Sequence, residues 1–388
     1  MNYGLIMVSK MNIVKMGNIK IIVAEADQWS ELFKRYNGWT GADGIYAIPL
    51  SGYEMQGKAH ETKTLFVFSD TFIGQVDQKT MTRKNVSMVN NTLALLEGRE
   101  PIDSKIQFIW GNNGDGSRSS VFVPNTPKTK DKKCWYWLQD GVSLNSNIYI
   151  FPMVIEENPN GQEGFKFKLS GLAMIKIPIK NGNLDLANHT QKDAPFYHIN
   201  KERTLYFGAG IMPNTIESGA IDPDGYVYIY GRYESEEVKL AVARVKADDF
   251  EDFDKWRFWD GNTWSDNIED TAELGRGGPE LSVTPIESGP LKGKYLMVSM
   301  HLEQDLYIRI GESPVGPFGP RINIYHTTEP DTGNGIYTYN AKAHPSLSKP
   351  NEWLISYNVN STSWHHLINN ADIYRPRFLK MKIQRELE

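Results

Sequence analysis

Short apolar segments separated by polar turns recur along the whole chain. Candidate strands cover residues 64–68, 147–154, 165–179, 226–230 and 306–310. Between them lie typical turn dipeptides, Asp-Gly at 140–141 and 224–225, Asn-Gly at 181–182 and Gly-Pro at 316–317. This alternation of apolar runs and turns predicts an all-β protein.

Helical periodicity is confined to two short segments. Residues 27–36 place Trp29, Leu32 and Phe33 on one face, which predicts an amphipathic helix. Residues 247–256 carry aspartates near their start, as helix N-termini prefer, and predict a second helix. Both helices would be peripheral to a fold built from strands.

The strands form units that repeat weakly at intervals of roughly 60–80 residues. Polar residues head the first strand of each unit, namely Asp43, Ser119, Glu217, Glu280 and Asn340. Five units of three to four antiparallel strands predict a five-bladed β-propeller, whose innermost strands converge on one axial pocket. A pair of β-sandwiches is the competing architecture. We expect one domain at residues 27–383, preceded by an N-terminal extension at residues 1–26.

Composition narrows the classes of partner. The 388-residue chain has a formal net charge of −5 and no stripe rich in Lys and Arg, so no nucleic-acid partner is expected. Aromatic residues make up 12%, which suits both strands and sugar-binding surfaces. No apolar run approaches the ~20 residues of a membrane span, so we expect none.

The cysteine count and the first residues add two further expectations. Cys134 is the single cysteine, so no intrachain disulfide can form. Lys10, Lys15 and Lys20 interrupt the apolar residues near the start, so the sequence predicts no secretory signal there. We expect a monomer.

Acidic residues at the ends of predicted strands are the main candidates for chemistry. Asp43 and Asp70 have strand-like sequence on both sides, which distinguishes them from ordinary turn aspartates. Glu217, Glu280 and, less clearly, Asp140 stand at similar positions. Cleavage of a glycosidic bond commonly uses two carboxylates, one as acid and one as base or nucleophile. Their proximity raises the pKa of one of them.

Polar residues near the C-terminal strands form a second group of candidates. Asn, His, Tyr and Arg side chains in one pocket would hydrogen-bond sugar hydroxyls or a substrate carboxylate. The candidates are Asn340, His344, Tyr357, Asn358, Arg375 and, at another strand end, His301. A structural hydrogen bond to the backbone is the alternative interpretation of His344.

Metal-binding motifs are weak. The Asp-Pro-Asp-Gly sequence at 222–225 resembles the start of a calcium loop, but it lacks the later ligands and is interpreted as a turn. No cofactor is expected to be required, although the sequence is compatible with a structural calcium ion.

Several motifs together resemble a known bacterial family. They are Gly-Ala-Asp-Gly at 41–44, Leu-Phe-Val-Phe-Ser-Asp-Thr-Phe-Ile-Gly at 65–74, Val-Ala-Arg-Val at 242–245, Trp-Arg-Phe-Trp-Asp-Gly at 256–261, Pro-Glu-Leu-Ser-Val at 279–283, Ile-Ser-Tyr-Asn-Val-Asn at 355–360 and Tyr-Arg-Pro-Arg-Phe at 374–378. The chain resembles a family catalogued as a domain of unknown function, whose members include endo-acting D-arabinanases. Residues 313–318 are also similar to a connector of arabinanase and xylosidase propellers.

The resemblance implies a five-bladed propeller glycoside hydrolase with Asp43 and Asp70 as the catalytic pair. Two features depart from the family pattern, an insertion at 52–63 and Ser69 in place of the usual Gly. In this hypothesis Asp43 is nucleophile or general base and Asp70 is general acid. Arabinanase-type propellers suggest a different pairing, of Asp43 with Glu280.

The main hypothesis is therefore hydrolysis of a furanoside, arabinan-like or a related polysaccharide, in the axial pocket. Glu280 or Glu217 would tune a pKa or take one of the two roles. A non-catalytic glycan-binding propeller is one alternative. A polysaccharide lyase is another, with His344, Tyr357 and Arg375 acting on a uronate.

Overall fold

Strands are the predominant secondary structure of the described residues. The computed structural model describes residues 11–57, 62–161, 166–200, 203–234, 237–333 and 335–386. The strands up to residue 119 are β1 (Met11–Met16), β2 (Ile19–Glu25), β3 (Asn37–Ala42), β4 (Tyr46–Pro49), β5 (Lys63–Phe68), β6 (Thr71–Asp77), β7 (Thr82–Val89), β8 (Thr92–Glu97), β9 (Ile106–Ile109), β10 (Gly111–Asn112) and β11 (Arg118–Ser119).

The middle of the chain continues in the same way. Its strands are β12 (Cys134–Trp137), β13 (Gly141–Leu144), β14 (Asn147–Ile150), β15 (Met153–Glu157), β16 (Phe167–Lys180), β17 (Asn183–Leu184), β18 (Thr190–Ala194), β19 (Tyr197–Ile199), β20 (Thr204–Asn214), β21 (Tyr226–Glu234), β22 (Lys239–Lys246), β23 (Arg257–Trp259) and β24 (Trp264–Ser265). The last strands are β25 (Leu281–Pro285), β26 (Tyr295–Ser299), β27 (Asp305–Gly311), β28 (Ile322–His326), β29 (Ile336–Ala343), β30 (Trp353–Ser361) and β31 (Arg377–Arg385).

The strands of the described residues form seven sheets, and we describe six of these as five sheet groups, with the two-stranded sheet β10-β11 left apart. The first group comprises the sheets β3-β6-β7 and β4-β5-β8-β9, and the second comprises β12-β15-β16-β14-β13 with β17 and β18. The third group is β19 to β24, the fourth is β25 to β28, and the fifth is β1-β2-β31-β30-β29. Neighbouring strands within each group are antiparallel, so the prediction of an essentially all-β chain is confirmed.

Long strands of the first and second groups bend at their middle. In the first group β3 and β4 are separated by 43–45, and β5 and β6 by 69–70. Ala42 pairs with Thr71 on one side of the bend, and Tyr46 pairs with Val67 on the other. The bend therefore places residues 43 and 70 directly opposite each other.

Residues 11–25 differ from the expected N-terminal extension because they belong to the fifth sheet group. β2 pairs with β31 along its whole length, from Ile19 opposite Arg385 to Glu25 opposite Leu379. Ile21 and Val23 are completely buried in the core of this group. Residues 1–10 lie outside the described residues.

The helices agree in part with the sequence pattern. Helix α1 (Asp27–Leu32) lies within the predicted 27–36, and α2 (Trp364–Asn369) was not predicted. The helix predicted at 247–256 is wrong, because that segment forms two short 3-10 turns, Ala247–Asp249 and Phe253–Lys255. Asp252 accepts a hydrogen bond from the Asp254 amide at the second turn, a turn-capping contact in place of a continuous helix.

Two predicted strands also have different limits in the structure. The strand predicted at 147–154 is two strands, β14 and β15, separated by Phe151 and Pro152, since proline has no amide hydrogen for a ladder. The strand predicted at 165–179 corresponds to β16, with residue 165 outside the described residues. Residues 58–61 of the 52–63 insertion are likewise outside them.

Hydrophobic clusters fill the spaces between successive groups. Among the described residues the core divides into five clusters. One cluster lies between the first and second groups and includes Leu65 and Ile148. Three others lie between the second and third, the third and fourth, and the fourth and fifth groups. The fifth cluster joins the last group to the first, since Phe33 contacts both Phe66 of the first group and Phe378 of the last. The groups also contact one another through β4, β13, β20, β25 and β29.

Candidate active site

Asp43 and Asp70 face each other at the bend of the first sheet group. The Asp43 amide donates to the Asp70 carbonyl at 3.2 Å, and the Ser69 amide donates to the Asp43 carbonyl at 3.0 Å. Side chains of directly opposed residues on antiparallel strands project from the same face. Both aspartates are half-buried residues of one face, and Asp43 Oδ1 itself is buried without a hydrogen-bond partner among the described residues.

The Asp43 carboxylate is held by residues of the fifth group. The Tyr339 hydroxyl donates to Asp43 Oδ2 at 2.7 Å, and Asn360 Nδ2 donates to the Tyr339 hydroxyl at 3.1 Å. Burial and the neighbouring Asp70 charge raise the pKa of Asp43 to about 7, although the tyrosine donor acts in the opposite direction. The negative charge of Glu280 raises this pKa further.

The Asp70 carboxylate has a different set of donors. Asn90 Nδ2, at 3.0 Å, and Trp137 Nε1, at 2.8 Å, both donate to Asp70 Oδ1. Burial raises the pKa of Asp70 to about 6, and the two donors oppose this rise. Trp137 belongs to the second sheet group, so the site includes side chains from more than one group.

Glu280 lies close to this pair but is paired with a lysine. The residue is 8% exposed, and its Oε1 accepts from Asn340 Nδ2 at 2.9 Å. Its Oε2 forms an ion pair with Lys342, whose side chain is 1% exposed. Lys342 Nζ also lies 4.2 Å from the centre of the Tyr46 ring. Both carboxylate oxygens of Glu280 are therefore occupied.

Asp140 occupies a bend in the second group. Its carboxylate accepts from the amides of Gly141, at 2.8 Å, and Ile211, at 2.6 Å. Burial raises its pKa to about 7, and the two amides partly offset that rise. Asp140 thus connects the second group to the third and, like Glu280, immediately precedes a strand.

His301 lies near Arg232 and Glu234 of the third group, and the Arg232 charge also acts on Tyr46 of the first group. Arg232 pairs with Glu234 at 2.9 Å and covers the Tyr206 ring at 4.6 Å. Burial and the positive charge of Arg232 lower the pKa of His301 below its usual range. In the part of the chain that the structure describes, His301 Nδ1 is buried without a hydrogen-bond partner.

Asn340 and Asn358 lie on the strands that carry the Asp43 donor. Asn340 follows Tyr339 at a bulge in β29 and has a φ of 60°, which asparagine tolerates better than most residues. Asn358 pairs with Tyr339 across the ladder. Neither amide atom of Asn358 has a hydrogen-bond partner among the described residues, and the side chain is buried.

Glu217 is not part of this constellation. It is exposed in a turn after β20, whereas Asp43, Asp140 and Glu280 precede the strands that follow them. Among the strands through which the groups contact one another, Glu217 lies beyond the C-terminal end of β20, whereas Asp43, Asp140 and Glu280 lie before the N-terminal ends of β4, β13 and β25. The prediction that Glu217 converges with the other acids is therefore corrected.

Three other predicted sugar-binding residues lie in the core. His344 is 2% exposed and bonds Ser356 Oγ through Nε2 at 2.7 Å, while burial lowers its pKa to about 3. Tyr357 is 3% exposed and donates to Glu329 at 3.0 Å. Both contacts are structural, so these two residues do not orient a sugar as predicted.

Arg375 is also a structural residue. It is completely buried and donates to the carbonyls of Thr40, at 3.2 Å, and Arg35, at 2.6 Å, and to Asp372 at 3.2 Å. Its guanidinium thus joins the last strands to the first sheet group. The prediction of a sugar contact by Arg375 is corrected, because the side chain is buried and each of its three nitrogens bonds a protein oxygen.

Sequence reasoning missed the residues that hold the two aspartates. Tyr339 and Tyr374 directly precede the predicted Asn340 and Arg375, and the Tyr374 hydroxyl also acts on Asp43. Trp137 belongs to an aromatic run that suggested only a strand. Asn90 carried no signal, because its role depends on a neighbouring strand.

A groove of about 540 Å³ lies outside the candidate site, lined by Leu50, Lys63, Glu97 and Asn183 among others. Within the described ranges, no group of three or more His, Cys, Asp or Glu side chains is placed to hold a metal ion. The helices described here are too short to cross a membrane.

Solved structures match this chain at low sequence identity. The chain is similar to a Bacteroides ovatus protein with a provisional hydrolase assignment, at 19% identity and a TM-score of 0.70, over 98% of this chain and 97% of that one. A GH43_1 enzyme from Xanthomonas citri is 12% identical over 92% of each chain, with a TM-score of 0.40. A GH62 hydrolase in complex with xylotriose is 8% identical over 90% of this chain and 99% of that one, with a TM-score of 0.44. The last two similarities are too distant to support an argument.

Sequence comparison gives the family. No curated protein matches the chain. A family model described as a domain of unknown function, DUF5005, matches residues 26–383. This match covers most of the chain, including both aspartates and every residue that holds them. The chain belongs to the DUF5005 family of domains of unknown function.

Proposed function

We propose that the chain is a glycoside hydrolase that cleaves a furanoside, arabinan-like or a related polysaccharide, between Asp43 and Asp70. The observation that carries the proposal is the position of these two carboxylates, which are opposed at one bend and partly exposed. Each is oriented by donors from elsewhere in the chain. Acid–base cleavage of a glycosidic bond requires two neighbouring carboxyl groups, one protonated and one ionised.

We also propose that the five sheet groups are the blades of a five-bladed β-propeller. Five hydrophobic clusters between successive groups support this count, since the fifth returns from the last group to the first. Contacts among β4, β13, β20, β25 and β29 are those expected of innermost strands around an axis. Asp43, Asp140 and Glu280 would then line the axial pocket at one end.

Glu280 suits a supporting role better than the role of the acid. Both of its oxygens are bonded, one to the Asn340 amide and one to the buried Lys342 ammonium group, so neither is free to contact a leaving group. The Glu280 charge faces Asp43 and favours the protonated form of that group. Asp43 and Asp70 therefore remain the proposed pair, with Glu280 tuning Asp43.

Asparagine variants test this function directly. Asp43→Asn, Asp70→Asn and Glu217→Gln are assayed on arabinan, arabinogalactan, xylan and uronate-containing polysaccharides, with reducing ends as the readout. Each of the two aspartate variants is expected to lose about 10³-fold or more in rate, and Glu217→Gln to retain full activity. Unchanged activity of both aspartate variants would overturn the proposal.

Other outcomes identify the alternatives. Oligosaccharide binding without release of reducing ends, for wild type and variants alike, indicates a glycan-binding protein. Products that absorb ultraviolet light as unsaturated uronates indicate a lyase. The anomeric configuration of the first product, followed by NMR, decides between retention and inversion.

A further inference from the structure

We propose that the two aspartates have fixed and different roles, with Asp43 carrying the proton and Asp70 ionised, and that Tyr339 is the positioning residue of Asp43. The assignment of roles rests on the proposed function. The distribution of donors around the two carboxylates carries the inference. It reverses the roles expected from the sequence, in which Asp43 was the base or nucleophile.

The donors of Asp70 favour its ionised form. Asn90 and Trp137 present N–H groups to the same oxygen, Oδ1. An amide nitrogen and an indole nitrogen can only donate, so a proton on that oxygen would remove both bonds. Hydrogen bonds made to the charged form of an acid stabilise that form.

The surroundings of Asp43 favour its protonated form. Tyr339 bonds Oδ2, whereas Oδ1 is buried without a hydrogen-bond partner among the described residues, so Oδ1 can carry a proton while the tyrosine bond persists. The Asp70 and Glu280 charges both act on Asp43, and like charges disfavour a second ionisation nearby. A single proton held by the pair therefore resides on Asp43.

Tyr339 is itself oriented by its neighbours. Asn360 donates into the Tyr339 oxygen, so the hydroxyl hydrogen is directed toward Asp43 Oδ2. The bulge that follows Tyr339, with Asn340 at a φ of 60°, breaks the regular ladder beside it. Bulges commonly redirect a side chain next to an active site.

The roles define one balanced step. As the bond between the anomeric carbon and the leaving oxygen breaks, its electrons pass to that oxygen, which takes the Asp43 proton. Asp70 supplies an electron pair, either to the anomeric carbon or to a proton of the attacking water. Tyr339 orients the Asp43 carboxyl throughout and forms no bond to the substrate.

The test measures protonation without any substrate. The full chain is labelled with ¹³C at the aspartate carboxyl carbons, and the two signals are assigned by their loss in Asp43→Asn and Asp70→Asn. We expect the carboxyl left in Asp70→Asn to titrate at higher pH than the one left in Asp43→Asn. The opposite order would overturn the assignment.

A tyrosine variant tests the positioning role. Tyr339→Phe is expected to raise the Asp43 titration midpoint by roughly 0.5–1 pH unit, since one donor is lost. Tyr325→Phe, which removes a similar hydroxyl bonded to Glu25 at 2.9 Å, is the matched control and should leave Asp43 unchanged. An unchanged midpoint in Tyr339→Phe would show that Tyr339 is merely structural.

Activity separates this inference from the proposed function. If a substrate is found, Tyr339→Phe should lower kcat and shift the pH profile of activity but retain measurable turnover. Complete loss of turnover would instead indicate that Tyr339 is the nucleophile. If no polysaccharide is cleaved, the titration order still decides where the proton resides. The two proposals can therefore fail independently.

Discussion

Lys342 lies between the Glu280 carboxylate and the face of the Tyr46 ring, almost entirely out of contact with solvent. One ammonium group thus compensates a buried acid of the fourth sheet group and contacts the first group as well. Pairs of this kind are costly to break, because the remaining charge has no partner and no water. Substitution of either residue of this ion pair should therefore affect both the stability of the fold and the candidate site.

Lys342→Met should destabilise the protein strongly. The isolated Glu280 charge is expected to lower the free energy of unfolding by about 3–5 kcal/mol, measured by urea denaturation. The double variant Glu280→Gln, Lys342→Met should recover most of this loss, because no buried charge then remains. Lys294→Met, at a half-exposed pair with Glu312, is the control and should change stability by less than about 1 kcal/mol.

Asp70→Asn should stabilise the protein at neutral pH and have little effect in acid. The folded pKa of about 6 lies above the unfolded value near 3.8, so the folded state binds more protons between these values. The carboxylate therefore lowers stability increasingly as pH rises through this window. We expect a gain of roughly 1–2 kcal/mol at pH 8, from thermal or urea unfolding.

Asp77, whose pKa is lowered by folding instead of raised, provides the control for the Asp70 prediction. Hydrogen bonds from Lys84 and from turn amides lower the pKa of Asp77 to about 2. Its stabilising contribution is complete above the unfolded pKa and is lost as pH falls toward 2. Asp77→Asn should thus be neutral or destabilising at pH 8, and a gain there would contradict the argument.

The β1–β2 hairpin should contribute to stability through its buried face alone. Ile21→Ala removes a completely buried side chain and is expected to cost about 2–5 kcal/mol in urea denaturation. Ile13→Ala, in the same hairpin but 46% exposed, should change stability by no more than about 0.5 kcal/mol. Equal effects of the two variants would mean that the hairpin is not packed as described.

Arg375→Lys should affect stability and leave saccharide binding unchanged. A lysine ammonium group cannot form the three diverging hydrogen bonds of the guanidinium to Thr40, Arg35 and Asp372. We therefore expect the free energy of unfolding to fall by about 1–3 kcal/mol. The exposed Arg385→Lys is the control. A higher KM for a substrate, with stability unchanged, would restore the sugar-contact hypothesis for Arg375.

Local sequence was sufficient to predict most of the strands and to single out the two aspartates as candidate site residues. Apolar runs with Asp-Gly and Asn-Gly turns predict strands because both signals depend on neighbouring residues. Asp43 and Asp70 were found because strand-like sequence flanks both of them. Glu217 and Glu280 have similar flanks, but one follows its strand and the other precedes it, and local sequence does not show which end of a sheet carries the site.

Contacts between distant segments could not be predicted in this way. Tyr339 and Trp137 reach the aspartates from other sheet groups, far away in the chain. His344 and Arg375 looked like pocket residues because they are polar beside apolar runs. A buried polar residue whose bonds are all satisfied within the core has the same pattern, so only the fold distinguishes the two cases.

The pairing of β2 with β31 has a consequence for biosynthesis. A ribosome makes residues 19–25 early and their partners, 377–385, near the end of the described chain. Until those late residues have been made, Ile21 and Val23 lack the strand, β31, with which they pair. The β2–β31 pairing therefore forms only after all the strands between them have been made, and the apolar face of the β1–β2 hairpin lacks its sheet partner until then.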